Sequence, residues 1–487
     1  MDSAPRSPSN RFTTNVCVVV SLCLILLAVS HQSIWIDEAA TATYAMKDSF
    51  RDFAATLWAE HRSEAQMPFG MWQAFVFEKV IGHSEYALRL PNVLWLGLGI
   101  IALGFVGRRF DMPWLPLLMA AHPMVWHYVD EARPYAIQIG MAAILLWASV
   151  TLLADSRIRS SALAAWWGAG IVLCASNLMA ALVFAFWFVV LVYALRGRWR
   201  QITASQWAGS AAAVLLLSVL AAYYGWTVLR GTGGARLWDV GLANAAFASF
   251  ELGGFMGFSP GRIAIREAGQ AGAGALLNAL TPYAVPLVLL ALTYAACLPP
   301  LRNALRAQAD RSLLLFCSAV IVLTVGGVLA ICFLMQFPFW GRHLVALIPL
   351  VLFVVAVAIR AAPPRYGHAL LVVLVGLLLA GSLNQRFNER HLKDDYRSAV
   401  ALAKAAEREG QRVLWAANLE AAAYYNYEPE FSYWDVRAHT DWHVADVIFY
   451  SKPDIFDQYG VIAERLGEME YVLFAELPAF TVWIRQP

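Results

Sequence analysis

Eleven long apolar runs dominate the chain and limit what it can fold into. They cover residues 13–30, 93–106, 114–129, 136–154, 162–175, 179–195, 207–229, 282–298, 313–334, 344–359 and 369–383. An uninterrupted apolar run of about 18 residues or more reads as a helix that crosses a bilayer, and the shorter runs reach that length by borrowing flanking residues. Composition agrees: 60% of the 487 residues are apolar and 14% are charged. A soluble domain carries about 45–50% apolar and about 25% charged residues. The chain is therefore neither a soluble globular protein nor a disordered one. Its 36 basic and 34 acidic residues leave a net charge of +2, too small for binding to a nucleic-acid backbone. The nineteen tryptophans suit a membrane–water interface.

Basic residues set the expected orientation. Arg6 and Arg11, Arg108 and Arg109, Arg157 and Arg159, Arg196, Arg198 and Arg200, Arg302, Arg306 and Arg311, and Arg360 and Arg365 occupy every second connection. Those connections are expected in the cytoplasm, with the N-terminus. An odd number of spans then puts the C-terminal part outside the plasma (inner) membrane. Ala28-Val29-Ser30 also fits a signal-peptide cleavage site, and cleavage there leaves all downstream sidedness unchanged. The six cysteines all lie in apolar runs, which argues for packing rather than disulfides or metal ligation.

Two domains are expected. A membrane domain covers residues 1–384, with a large first outer loop at 31–91 and another at 230–281; a small extracytoplasmic α/β domain covers 385–487. Within the first loop, residues 68–81 read as a short amphipathic helix lying along the interface. The Gly- and Ala-rich 230–281 segment reads as a partly mobile loop. In the tail, Asp395 caps an expected helix over 396–409 that Gly410 stops, and β-like runs follow at 413–416, 471–474 and 480–484.

Asp-Glu occurs twice, at Asp37-Glu38 and Asp130-Glu131, and the topology puts both pairs at outer helix ends. A carboxylate beside hydrocarbon is costly unless solvated or paired. Such residues serve as interfacial anchors, or as a site when basic partners share the same face. Arg89, Arg133, Arg342 and His343 are expected on that face. Acids beside bases there suit an anionic lipid headgroup together with a group that must lose a proton. Arg133 either pairs with Glu131 or binds phosphate bidentately. Arg342, after Trp340-Gly341, is either an interfacial anchor or a ligand. The histidines lack metal-protease spacing; His439 and His443 form an i, i+4 pair that reads as solvated. No phosphate-binding loop or nucleophile elbow accompanies the acids.

Five segments stand out in order: Trp35-Ile36-Asp37-Glu38-Ala39; the stretch from Gly82-His83-Ser84-Glu85 to Arg89-Leu90-Pro91; Asp130-Glu131-Ala132-Arg133-Pro134-Tyr135; Gly341-Arg342-His343-Leu344; and Lys393-Asp394-Asp395-Tyr396-Arg397. Together they resemble the glycosyltransferase family 39 type of GT-C membrane glycosyltransferases, related to protein O-mannosyltransferases and the lipid A aminoarabinose transferase. Their order matches that family from residue 35 to about residue 400. One departure stands out. Gln66-Met67-Pro68 occupies the place of the family's basic residue or His before Pro-Pro-Leu.

The resemblance implies an α-helical polytopic enzyme of about eleven transmembrane helices. It would transfer a sugar from a polyprenyl-phosphate donor to a hydroxyl of a glycan, lipid or protein acceptor at the outer face. Asp37 and Glu38 are the implied catalytic pair. Arg133, Glu131, Asp130, Tyr135, Arg342, His343 and Arg89 are the implied substrate-binding residues. No cofactor follows with certainty from the resemblance, and dependence on a divalent metal stays open. The rival readings are a transporter or flippase of lipid-linked sugars, a non-catalytic relative, and a ligase of the same superfold that moves a whole glycan.

Overall fold

The computed structural model describes residues 8–59, 62–231, 242–337, 339–438, 442–468 and 471–486. Its described residues fall into two compact units, both discontinuous in sequence. One consists of residues 1–29, 54–73 and 89–390; the other of residues 30–53, 74–88 and 391–487.

The first unit is helical. In chain order, the helices through the end of the apolar region are α1 (Pro8–Ala28), α2 (Ile36–Ala45), α3 (Phe50–Ala59), α4 (Pro68–Ile81), α5 (Glu85–Arg109), α6 (Leu115–Ala120), α7 (Pro123–Val129), α8 (Tyr135–Ala154), α9 (Ser160–Ser176), α10 (Leu178–Leu195) and α11 (Ala204–Leu229). There follow α12 (Leu242–Leu252), α13 (Arg262–Ala271), α14 (Ala273–Leu280), α15 (Ala284–Ala296), α16 (Leu298–Arg306), α17 (Gln308–Met335), α18 (Ile348–Ala361) and α19 (Pro364–Phe387). Of these, α2 belongs to the second unit, and α3, α4 and α5 contribute residues to both.

All eleven apolar runs are helical. Among the described residues, nine helices are long and apolar enough to cross a membrane, and the 17-residue α9 is a shorter apolar helix. The run at 114–129 differs from expectation. It breaks into α6 and α7 because Pro123 has no N–H to continue the ladder, and the His122 ring caps α7 by accepting the Met124 N–H at 3.2 Å. Large apolar side chains such as Leu215, Val219, Val288, Leu292, Val322 and Val372 are exposed on the helices of this unit. Water would penalise that pattern; hydrocarbon does not.

Between helices in lipid, close packing and hydrogen bonds replace the hydrophobic drive. Among the candidate spans of the described residues, α8 is the most buried and is packed along almost its whole length. A Cβ added to Gly140 on α8 would lie 2.2 Å from the carbonyl oxygen of Trp95 on α5, so this crossing requires glycine. Polar pairs tie other helices together. The Trp187 indole donates to Ser149 Oγ at 3.1 Å, the Trp167 indole to Ser210 Oγ at 2.9 Å, and the Tyr224 hydroxyl to the Cys174 carbonyl at 2.7 Å. No cysteine is in a disulfide; four of the six are buried, whereas Cys23 is exposed on α1, contrary to its expected packing role.

The described part of the 230–281 segment is not the loop expected from its Gly and Ala content. It forms α12, α13 and α14, with residues 232–241 outside the described set.

The second unit is an α/β body. Its sheet has the order β2 (Phe431–Ser432), β1 (Val413–Ala416), β3 (Val447–Tyr450), β5 (Phe480–Arg485), β4 (Tyr471–Leu477). β1 pairs in parallel with β2 and β3, while β5 is antiparallel to β3 and β4. Strand alternation sends Val413 and Trp415 to one face and Leu414 and Ala416 to the other. The first face packs against α20 (Tyr396–Arg408), through Tyr396, Val400 and Ala403, and also covers Ile34 and Ala39 from the first outer segment. Each large side chain buried this way stabilises the unit by about 1.5–3 kcal/mol. Asp395 caps α20 as expected, accepting the Ser398 N–H at 3.1 Å. Trp442 lies in the second face of the core; Trp434 is exposed, with the Arg437 guanidinium over its ring. His439 lies outside the described residues.

Candidate active site

In the first unit the Asp130–Tyr135 turn connects α7 to α8. Pro134 favours the chain reversal, and α8 then starts at Tyr135. Arg89, on α5, is fully buried and lies 3.8 Å from the Asp130 carboxylate. Asn92, one turn further along α5, donates to the Glu131 carbonyl at 2.6 Å and to the carbonyls of Tyr128 and Val129 at 3.3 Å. An amide and a guanidinium on one helix face therefore fix the turn from its α5 side.

The His127 Nε2, four residues earlier, lies 3.1 Å from the Glu131 carboxylate, an ion pair when the ring is protonated. The partner of Arg133 is Glu64, at 2.8 Å, with both side chains buried. Sequence left Arg133 either pairing with Glu131 or binding phosphate; in the structure its guanidinium reaches 69 residues back along the chain, to Glu64. Glu64 sits on a 3-10 turn, Ser63–Gln66, whose Ala65 carbonyl accepts the Tyr223 hydroxyl at 2.7 Å. The start of α4 packs directly on Pro134: a Cβ on Gly70 would lie 2.9 Å from the Pro134 ring. Tyr135 is buried and tilts against Tyr128 at 4.7 Å between ring centroids.

Arg342 and His343 lie on a separate element of this unit, the 3-10 turn Gly341–Leu347, which packs on α8, α10 and α12. His343 is buried, and its Nδ1 accepts the Trp340 N–H at 3.3 Å. Arg342 is half-buried, its guanidinium 6.0 Å from the Trp340 ring. Glu251 of α12, buried, accepts the Gly341 N–H at 3.0 Å. A Cβ on Gly341 would lie 2.1 Å from that carboxylate oxygen and 3.0 Å from the Glu251 Cβ, so a larger residue there would push the Glu251 side chain aside. A buried glutamate from α12, in the segment whose composition suggested a loop, therefore seats the turn that carries Arg342.

In the second unit, Asp37 and Glu38 open α2, where the helix dipole favours negative charge. Their environments differ. Asp37 is half-buried, while Glu38 is fully buried and accepts the Lys393 Nζ at 3.2 Å on both carboxylate oxygens. Glu38 also receives the Trp35 N–H at 3.4 Å. Next to Lys393, Asp394 pairs with Lys452, whose Nζ is 5.5 Å from the Trp35 ring. At the start of α5, Glu85 accepts from Arg397 Nε at 3.1 Å and from the Tyr425 hydroxyl at 2.9 Å. Burial pushes the Tyr425 phenol up to about 12, so it stays protonated and donating at neutral pH.

Residue reading singled out the two acid pairs, Arg133 and Arg342, but not the groups beside them: Glu64 at Arg133, Asn92 at the Glu131 carbonyl, Lys393 at Glu38, and Glu251 at Gly341. His127 was accessible in principle, because i, i+4 spacing to Glu131 is a helical pairing signal. Lys393 stood in a quoted segment without a role. Glu64 and Glu251 carried no local signal. Among the described residues no group of three or more His, Cys, Asp or Glu side chains is placed to hold a metal ion.

Among solved structures, ArnT from Cupriavidus metallidurans in the apo state aligns with a TM-score of 0.52 at 13% identity, covering 96% of this chain and 97% of that one. The chain has the GT-C fold. ArnT from the same organism bound to undecaprenyl phosphate aligns with a TM-score of 0.51 at 14% identity and the same coverage. No protein-family model and no curated protein sequence matches the chain. The GT-C architecture is thus carried by the order and packing of helices, with little sequence shared.

Proposed function

We propose that this chain is a multi-pass membrane glycosyltransferase that takes a sugar from a polyprenyl-phosphate donor and delivers it to an acceptor hydroxyl. The observation that carries the reading is the fold alignment, over 96% of the chain, with a protein also solved bound to undecaprenyl phosphate. The acid and guanidinium groups supply suitable chemistry.

In the proposed reaction the acceptor hydroxyl attacks the anomeric carbon while its proton passes to the Asp37 carboxylate. The bond between the anomeric carbon and the phosphate oxygen breaks, and the polyprenyl phosphate leaves with its electron pair. Arg133 stabilises that growing negative charge, with Arg342 and Arg89 as further candidates and Asp130, Glu131, Tyr135 and His343 as their supporting residues. Glu38, fixed by Lys393, holds the first turn of α2 and so orients Asp37. A single displacement inverts the anomeric centre; a double displacement would instead need a second carboxylate about 5–5.5 Å from the first. In the proposed orientation the N-terminus is cytoplasmic and the tail lies outside.

The test is turnover by purified protein in detergent with a polyprenyl-phosphate sugar and a hydroxyl acceptor. Detergent abolishes vectorial transport but not transfer, so turnover there supports an enzyme and its absence supports a flippase. Asp37→Asn is expected to lower turnover by about 10²-fold or more at unchanged expression and melting temperature. Full activity in that variant removes Asp37 from the base role.

A further inference from the structure

A groove of about 250 Å³ runs between α1 and α5 in the first unit. Val18, Val19, Ile101 and Phe105 form its walls, and Asn15 and Arg108 close one end. Gly104 keeps the helices close there, since a Cβ on it would lie 2.9 Å from Val18. Val19, Ile101 and Phe105 are exposed, so the groove opens sideways, toward the surroundings of the helices rather than into the packed interior.

The polar end is electrostatically unbalanced. Arg108 and Arg109 are neighbours at the end of α5. Arg109 is neutralised by Asp155 at 2.6 Å. Asp155 also takes Arg159, and Asp111 accepts the Asn10 amide at 2.7 Å. Arg108 has no carboxylate partner among the described residues. It donates to the Asn15 side-chain oxygen, lies 5.7 Å from the Phe105 ring, and keeps a buried Nε with no hydrogen-bond acceptor. A guanidinium without a carboxylate partner among the described residues stands above an apolar groove that faces lipid.

We infer that this groove is a binding site for an anionic diacyl phospholipid: Arg108 and Asn15 take the headgroup phosphate, and one acyl chain lies along Val18, Val19, Ile101 and Phe105. A fixed guanidinium selects an anionic headgroup over a zwitterionic one. The site is separate from the proposed reaction. Arg108 is nineteen residues from Arg89 on α5, about 28 Å along a helix rising about 1.5 Å per residue, nearly the thickness of a hydrocarbon core. The inference does not depend on which reaction the protein catalyses.

The experiment is native mass spectrometry of the full chain released from detergent containing equimolar phosphatidylglycerol and phosphatidylcholine. Phosphatidylglycerol is expected to be retained about fivefold more, the factor for one cation at an anionic surface. Arg108→Gln is expected to bring that ratio to about one. Val19→Trp, at a position exposed to lipid, fills the groove and lowers retention of both lipids, which tests the groove without touching the charge. Equal retention by the unaltered chain, a preference that survives Arg108→Gln, or unchanged retention in Val19→Trp overturns the inference. Displacement of phosphatidylglycerol by equimolar undecaprenyl phosphate overturns the assignment to a diacyl lipid.

Discussion

At the scale of single residues, buried ion pairs constrain the candidate groups. Arg133 and Glu64 are both buried, and each offsets the charge of the other at 2.8 Å. Removing one partner of a buried pair leaves an uncompensated charge and costs about 3–5 kcal/mol, whereas replacing both costs far less. Arg133→Ala is therefore expected to lower thermal stability in detergent, and adding Glu64→Gln to restore a large part of it. Melting temperatures of the two single variants and the double variant, set out as a cycle, measure the coupling; additive losses would show that the pair does not act as one. The same experiment separates structure from binding, because a donor-lipid affinity lost in Arg133→Ala and still lost in the restored double variant is owed to the guanidinium itself. Glu38 and Lys393 form a comparable pair in the other unit, and Asp37 beside them on α2 is half-buried.

At the scale of elements, close helix approach decides where a side chain is tolerated. Gly140 lies against the backbone of α5, and Gly99 on α5 faces it, its added Cβ falling 2.8 Å from the Gly140 Cα. Gly168 on α9 has nothing within 4 Å. Gly140→Ala is expected to destabilise by about 1–3 kcal/mol through overpacking. Gly168→Ala is expected to be neutral or slightly stabilising, because alanine favours a helix. Thermal melts of the two variants in the same detergent check the contrast, and equal shifts would refute the close crossing. The short helices follow the same logic. Pro123 and His122 divide a run whose length alone suggested one span, and α6 and α7 bury almost every side chain they carry.

At the scale of the whole molecule, the basic connections predict sidedness. Alkaline phosphatase fused after Gln201, beside Arg196, Arg198 and Arg200, is expected to be inactive in intact cells; fused to the tail it is expected to be active. The reverse pattern would invert the orientation and move every proposed catalytic group to the cytoplasmic face. The compact units also divide the chain differently from a simple cut near residue 384: segments 30–53 and 74–88 group with the tail, and Ile34 and Ala39 lie in the tail's core.

The sequence by itself determined what depends on neighbours along the chain. Run length and apolarity gave the membrane helices, Asp395 gave the start of α20, and a short apolar β-like run gave β1 at Val413–Ala416. Each of those signals lies within one turn, one strand or one span. Tertiary structure alone decided which charges meet. Glu64 reaches Arg133 across 69 residues, Lys393 reaches Glu38 across 355, and Glu251 comes from a segment whose composition suggested a loop. A buried charge must find an opposite charge or a hydrogen bond, but that requirement fixes only the need for a partner. Which partner meets it depends on how distant helices are packed, and no local pattern of residues records that.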